Sequence, residues 1–178
     1  GRGTLVTEVL PGGERKEAYR RLRAELAAGA QGYVVFPLIE ESDEIPAASL
    51  AALGAKVRDY LADFPSAVLH GKIPAVERER IMQEFAAGTI KVLVATTVIE
   101  VGVDVPNASW MVVESAERFG LAQLHQLRGR VGRGSAASHC LAIHGRLSEE
   151  GAKRLDVFAS TRDGFAIAEA DLAIRGPG

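Results

Sequence analysis

Cysteine is nearly absent: Cys140 stands alone among 178 residues. A single thiol closes no internal disulfide and supplies no CxxC pair for a metal, so no metal site is expected. Long apolar runs are missing too. No stretch approaches the roughly 20 apolar residues that cross a bilayer, and no basic-then-apolar leader opens the chain. A cytoplasmic protein without membrane contact is the expectation. Aromatic residues are scarce at 6%, with one tryptophan, which leaves no platform for stacking unpaired bases. Positive charge is not in excess: 21 Lys and Arg face 23 Asp and Glu, for a net charge of -2. That excludes a general basic coat for nucleic acid and leaves room only for a local basic site. There is no GxxxxGK[ST] loop and no metal-holding Asp-Glu pair after a strand, so the parts that cradle and cleave a nucleoside triphosphate are lacking. Nor does a Ser-His-Asp or Cys-His set with interpretable spacing occur.

What is present is an ordinary globular mixture, 47% apolar and 25% charged, of a length that suits one domain or one plus a short appendage. Short apolar runs alternate with helix-period segments. Leu5 to Val9 reads as a strand, and Glu14 to Ala28 as a helix with Tyr19, Leu22 and Leu26 on one side. Tyr33 to Ile39, broken only by Pro37, reads as a buried strand ending near that proline, and the acidic stretch Glu40 to Glu44 as a solvated loop. Leu50, Leu53, Val57 and Leu61 keep helical spacing, as do Ile81, Met82 and Phe85 within Ala75 to Ala87. Ala67 to Leu69, Ile90 to Ala95, Trp110 to Glu114 and Cys140 to Ile143 are further strands. Leu121 to Val131 is helical, and so is the region from Leu147 to Arg175. Strands separated by helices of this length imply an α/β fold with a mostly parallel sheet covered on both faces.

Chemistry concentrates in Gln126 to Gly134. Arg118, Arg128, Arg130 and Arg133 occur within sixteen residues that contain no acid. On a helix, at roughly 100° per residue, Gln126, Arg130 and Arg133 share a stripe about 60° wide, whereas Leu124, Leu127 and Val131 face a core. Arg128 falls on the apolar side, where it is expected to affect stability more than turnover. Gly129 and Gly132 cost about 1 kcal/mol each in helix propensity, which suggests something large brought close to the backbone. A solvated basic face is the bland alternative; phosphate recognition by planar guanidinium groups is the functional one. A second constellation runs from Thr96 and Thr97 at a strand end through Gly102 to Asp104. Its hydroxyls lie where ligands sit in open α/β sheets, and Asp104 offers a carboxylate to a ribose hydroxyl. Taken alone it is a Thr-rich strand end with a turn. His70-Gly71 at another strand end is weaker still, since a lone His at a turn is more often structural.

In this order the segments resemble the second motor domain of superfamily 2 helicases. His70-Gly71 resembles the segment between motifs IV and V; Ala95 through Asp104 resembles motif V, and Gln126 through Arg133 motif VI. The runs TTVIEVGVDVPNA at 96–108, ERFGLAQLHQLRGRVGRG at 117–134 and DGFAIAEADLAIRGPG at 163–178 are similar to the bacterial RecG helicase family. The transcription-repair coupling factor Mfd shares much of the pattern, and Tyr33 through Ser42 leans the choice toward RecG.

The resemblance implies a RecA-like helicase domain 2 over residues 1–146. Residues 147–178 would begin a helical hairpin that couples ATP turnover to movement, stopping before its loop. It implies half of an ATP-driven translocase that acts on double-stranded DNA and remodels stalled forks and Holliday junctions. ATP and Mg²⁺ would be held mainly by the first RecA-like domain of the same protein. The partners would be that domain and branched or forked duplex DNA, in a bacterial, nucleoid-associated setting. Arg130 and Arg133 match the motif VI arginines that reach the γ-phosphate, Arg133 as the leading finger, with Gln126 beside it. Gly102, Asp104, Gly129 and Gly132 match nucleotide-side positions. Thr96, Thr97, His70 and Gly71 match the nucleic-acid side, and Arg154 and Arg175 match basic positions of the coupling element. Glu100 receives no role. A Mfd-type translocase domain and a non-catalytic α/β interaction module remain the alternatives.

Overall fold

Successive strand residues at the centre of the molecule alternate between two cores. The computed structural model describes residues 3–38, 47–96, 105–134 and 136–176. Strand β2 (Gln31–Phe36) is buried along its whole length, as a strand covered on both faces must be. Tyr33 and Val35 point into one core, Val34 and Phe36 into the other. The same alternation runs through β4 (Val92–Thr96), β5 (Ala108–Val113) and β6 (Ser138–His144). With β1 (Leu5–Pro11) and β3 (Ser66–Leu69) they form one six-stranded sheet in the order β1-β6-β5-β2-β4-β3, every neighbouring pair parallel.

Helices cover both faces. On one side lie α1 (Arg15–Ala27) and α2 (Ala47–Tyr60), which bury Tyr19, Leu22, Leu26 and Val57. On the other lie α3 (Ala75–Ala86), α4 (Leu121–Arg128), α5 (Glu149–Ser160) and α6 (Gly164–Arg175). These contribute Ile81, Phe85, Leu124, Leu155, Phe158 and Ile167 to a single core. Short 3-10 turns at Gly12–Glu14 and Ala116–Arg118 follow β1 and β5. Cys140 lies inside, and burial pushes its thiol up to about 12, which makes it unreactive.

Strand β2 stops at Phe36, at the proline near which the sequence places its end: Pro37 cannot donate to the ladder, and Ile39 and the acidic stretch 40–44 lie outside the described residues. The region from Leu147 is helical, as expected, and forms two helices. Thr161 is extended between them, the Ser148 hydroxyl caps α5 by accepting from Gly151 N, and the Asp163 carboxylate caps α6 by accepting from Phe165 N. One expectation changes: α4 ends at Arg128, not at Val131.

Candidate nucleotide and nucleic-acid interfaces

The early end of α4 reshapes the arginine constellation. The amides of Gly129, Arg130 and Val131 bond back to His125, Leu127 and Arg128, tightening the chain into a turn. Gly132 then takes φ +82°, which only a residue without a Cβ adopts at no cost. Two residues on, a Cβ at Gly134 would lie 2.7 Å from the Pro106 carbonyl oxygen. The common helical stripe of Gln126, Arg130 and Arg133 is therefore corrected: Arg130 and Arg133 stand on a turn beyond the helix end. Two of the glycines are required by the backbone itself. Gly132 permits the left-handed turn, and Gly134, whose carbonyl accepts from Gly3 N, lies directly against Pro106.

The turn sits at the amino ends of the strands, beside Leu5 of β1 and Pro106 just before β5. Arg133 is exposed, with Nε donating to the Gly129 carbonyl at 2.9 Å. Arg130 is half-buried and Gln126 exposed. A pocket of about 180 Å³ opens beneath, lined by His125, Arg128, Gly129, Gly132, Arg133 and Arg162. Such a concentration of guanidinium groups can hold an anion. Gly102 and Asp104 lie outside the described residues.

Arg128 anchors the turn. Only 2% exposed, it places its guanidinium over the Phe158 ring, 4.3 Å from the centroid. Its terminal nitrogens donate to the Phe158 carbonyl at 2.5 Å, the Thr161 carbonyl at 2.9 Å and Thr7 Oγ1 at 3.3 Å. The charge thus lies buried against neutral acceptors, and that desolvation lowers its pKa. Arg128 also meets His125 Nδ1 at 3.1 Å. A guanidinium only donates, so Nδ1 accepts and the proton sits on Nε2. Burial first, and Arg128's charge second, hold His125 below the ordinary histidine value.

Thr96, His70 and Gly71 gather at the opposite end of the sheet. Thr96 ends β4, and because Leu69 pairs with Ala95, His70 leaves β3 beside it. His70 Nδ1 accepts from the Lys72 amide at 3.1 Å, which fixes the ring against its own turn; Gly71 is exposed. Thr97 lies outside the described residues. Arg154 is half-buried, with its NH2 3.5 Å from the Glu117 carbonyl and its Nε buried without a hydrogen-bond partner among the described residues. Arg175 pairs with Asp171 at 3.0 Å.

Sequence reading missed one network. Glu114, fully buried directly after β5, accepts from Arg15 at 3.0 Å and from the Tyr19 hydroxyl at 2.7 Å. Burial and the adjacent carboxylate raise the Tyr19 phenol well above its usual range. The only signal was a carboxylate at the end of an otherwise apolar strand, since its partners lie 95 and 99 residues away.

Residues 15–135 match the model of the helicase conserved C-terminal domain. The chain belongs to that family. This helicase C-terminal domain is 46% identical over its whole length to the ATP-dependent DNA helicase RecG of Thermotoga maritima, and covers 23% of that protein. It is 49% identical to the RecG of Acidithiobacillus ferridurans, again over the whole chain and 26% of the relative. A solved structure of RecG bound to a three-way DNA junction superimposes with a TM-score of 0.84 at 43% identity, over 100% of this chain and 23% of that one. The chain thus spans about a quarter of the length of these relatives.

Proposed function

We propose that this domain is one half of an ATP-driven motor that moves on double-stranded DNA and remodels forks and junctions. The carrying observation is the arginine turn: an exposed Arg133 and a half-buried Arg130 on a backbone locked from behind by Arg128. Preorganised guanidinium groups suit charge that develops on a transferring phosphoryl group, and they need little reorganisation as it does so. The sequence has no GxxxxGK[ST] loop. The nucleotide cradle and its Mg²⁺ are therefore assigned to a first RecA-like domain, for which the relatives' remaining length leaves room. Gln126, Gly129, Gly132, Gly102 and Asp104 would face that nucleotide, whereas Thr96, Thr97, His70 and Gly71 at the other end of the sheet would meet the DNA backbone.

Residues 147–178 would form the coupling element, with Arg154 and Arg175 as its basic contacts. Arg128 supports this reading, since it ties the turn to carbonyls at the end of α5 and just beyond it. The relatives are bacterial helicases, and no helix among the described residues is long and apolar enough to cross a membrane, so a bacterial cytoplasmic, nucleoid-associated setting is proposed.

Phosphate release with and without forked DNA tests the reading. The chain alone should hydrolyse no ATP above background, while a longer polypeptide that adds a P-loop domain should do so on forked DNA. In that polypeptide Arg154→Gln should keep ATP turnover and lose unwinding. DNA-stimulated turnover by the chain alone would overturn the half-motor reading.

A further inference from the structure

The cleft between α1 and α2 takes no part in either interface above. It encloses about 680 Å³. Arg15, Lys16 and Tyr19 line it from α1, and Leu53, Lys56 and Tyr60 from α2. Gly12 and Gly13 form its mouth at the end of β1, and nothing lies within 4 Å of where a Cβ on Gly13 would stand. Three cations share this lining with no Asp or Glu, in a chain whose net charge is -2.

Ion pairing sets the two lysines apart. The arginines of α1 are each held by a carboxylate: Arg15 by Glu114, Arg20 by Glu17, Arg21 by Glu8 and Arg23 by Asp63. Lys16 and Lys56 are exposed, and neither pairs with a carboxylate among the described residues. The floor beneath them is the apolar side of Leu53, Val57 and Tyr19, along which lysine stems can lie with their ammonium groups at the rim. Compact, mobile point charges of this kind suit sequence-independent contacts to phosphate.

The cleft is also well placed. Arg15 is bonded to Glu114 directly after β5, while Thr96 ends β4, and these strands flank β2. Two strand spacings, roughly 10 Å, separate them laterally. At about 3.4 Å of rise per nucleotide along one strand, that is about three nucleotides, so a single duplex can reach both.

We propose that this cleft is a second anchoring site for the phosphodiester backbone of double-stranded DNA, with Lys16 and Lys56 making the contacts. The inference rests on the DNA-motor reading above and extends its DNA path away from Thr96 and His70. Each phosphate neutralised releases condensed counterions, so two contacts contribute about 1.8 to the slope of log affinity against log salt.

Fluorescence anisotropy with a forked duplex, across a salt series, tests it on this chain. The comparison is between the wild type, a Lys16→Gln/Lys56→Gln double variant and, as control, Lys91→Gln, a lysine just before β4 at the amino ends of the strands. The double variant should bind more weakly with a slope shallower by about 2 and an unchanged melting temperature. Lys16→Arg/Lys56→Arg should restore binding, and the control should match the wild type. A double variant with wild-type affinity and slope would overturn the cleft as a DNA site while leaving the motor reading standing, and so would a control that loses as much as the double variant. A wild-type chain that binds no duplex at all would likewise overturn the cleft as a DNA site, whereas the motor reading stands or falls on ATP turnover by the longer polypeptide.

Discussion

At the scale of single residues, two arginines five positions apart do opposite things. Arg128 is buried among carbonyls and Arg133 is exposed on the turn. Arg128→Met keeps much of the apolar stem but leaves the Phe158 and Thr161 carbonyls without their donor. It should cost about 3 kcal/mol, a fall of roughly 10 °C in melting temperature for a domain of this size. Arg133→Ala should stay within about 0.5 kcal/mol of the wild type. Equal melting curves for the two variants would contradict the anchoring role. His125 adds a pH dependence. Its folded pKa is lowered from 6.5, so the unfolded chain binds the extra proton more readily. Stability from this site is therefore complete above the unfolded value and is lost as pH falls through 6.5 toward the folded value. His125→Gln should flatten that part of a stability-pH curve, and a curve with unchanged slope would show that the histidine titrates as freely as in the unfolded chain.

At the scale of elements, the strands were legible because full burial on both faces leaves a signature of continuous apolar residues, as in Tyr33 to Phe36 and Trp110 to Val113. The helices of the α1 face were equally plain from Tyr19, Leu22 and Leu26. The end of α4 was not. Leu124, Leu127 and Val131 keep helical spacing, and Val131 is buried in the same core even though it reaches that core from a turn. Periodicity records which residues are buried, and a turn that buries the next apolar residue mimics it. Gly132 and Gly134 carried the missing information, but a glycine in a sequence does not say whether it serves a left-handed φ, a close carbonyl or a ligand. Here the first two hold, and each has a cost if reversed. Gly132→Ala should lose roughly 1–2 kcal/mol to its left-handed backbone. Gly134→Ala should lose about 1–3 kcal/mol by driving a methyl into the Pro106 carbonyl. Thermal unfolding checks both, and a Gly134→Ala domain as stable as the wild type would show that the two segments separate freely. The Glu114–Arg15–Tyr19 network was illegible for a different reason: long-range pairing leaves no local pattern.

At the scale of the whole molecule, the parallel sheet keeps the two proposed contact regions apart. The arginine turn occupies the amino ends of the strands, and Thr96 and His70 the carboxyl ends. α5 and α6 pack on the same core as α4, so that Arg128 links the turn to the final helices. In the proposed motor, a chain near electrical neutrality would meet a polyanion and a nucleotide through cations concentrated at such places. In the proposed motor, Arg133 stabilises charge on the transferred phosphoryl group. The most direct test of that role is ATP turnover on forked DNA by a polypeptide that joins this domain to a P-loop domain, comparing wild type with Arg133→Ala and Arg133→Lys. In Arg133→Ala kcat should fall about 10³–10⁵-fold with ATP affinity and melting temperature little changed, and lysine should rescue poorly because it lacks the planar fork. A folded Arg133→Ala protein that turns over ATP at a near-normal kcat would contradict that role.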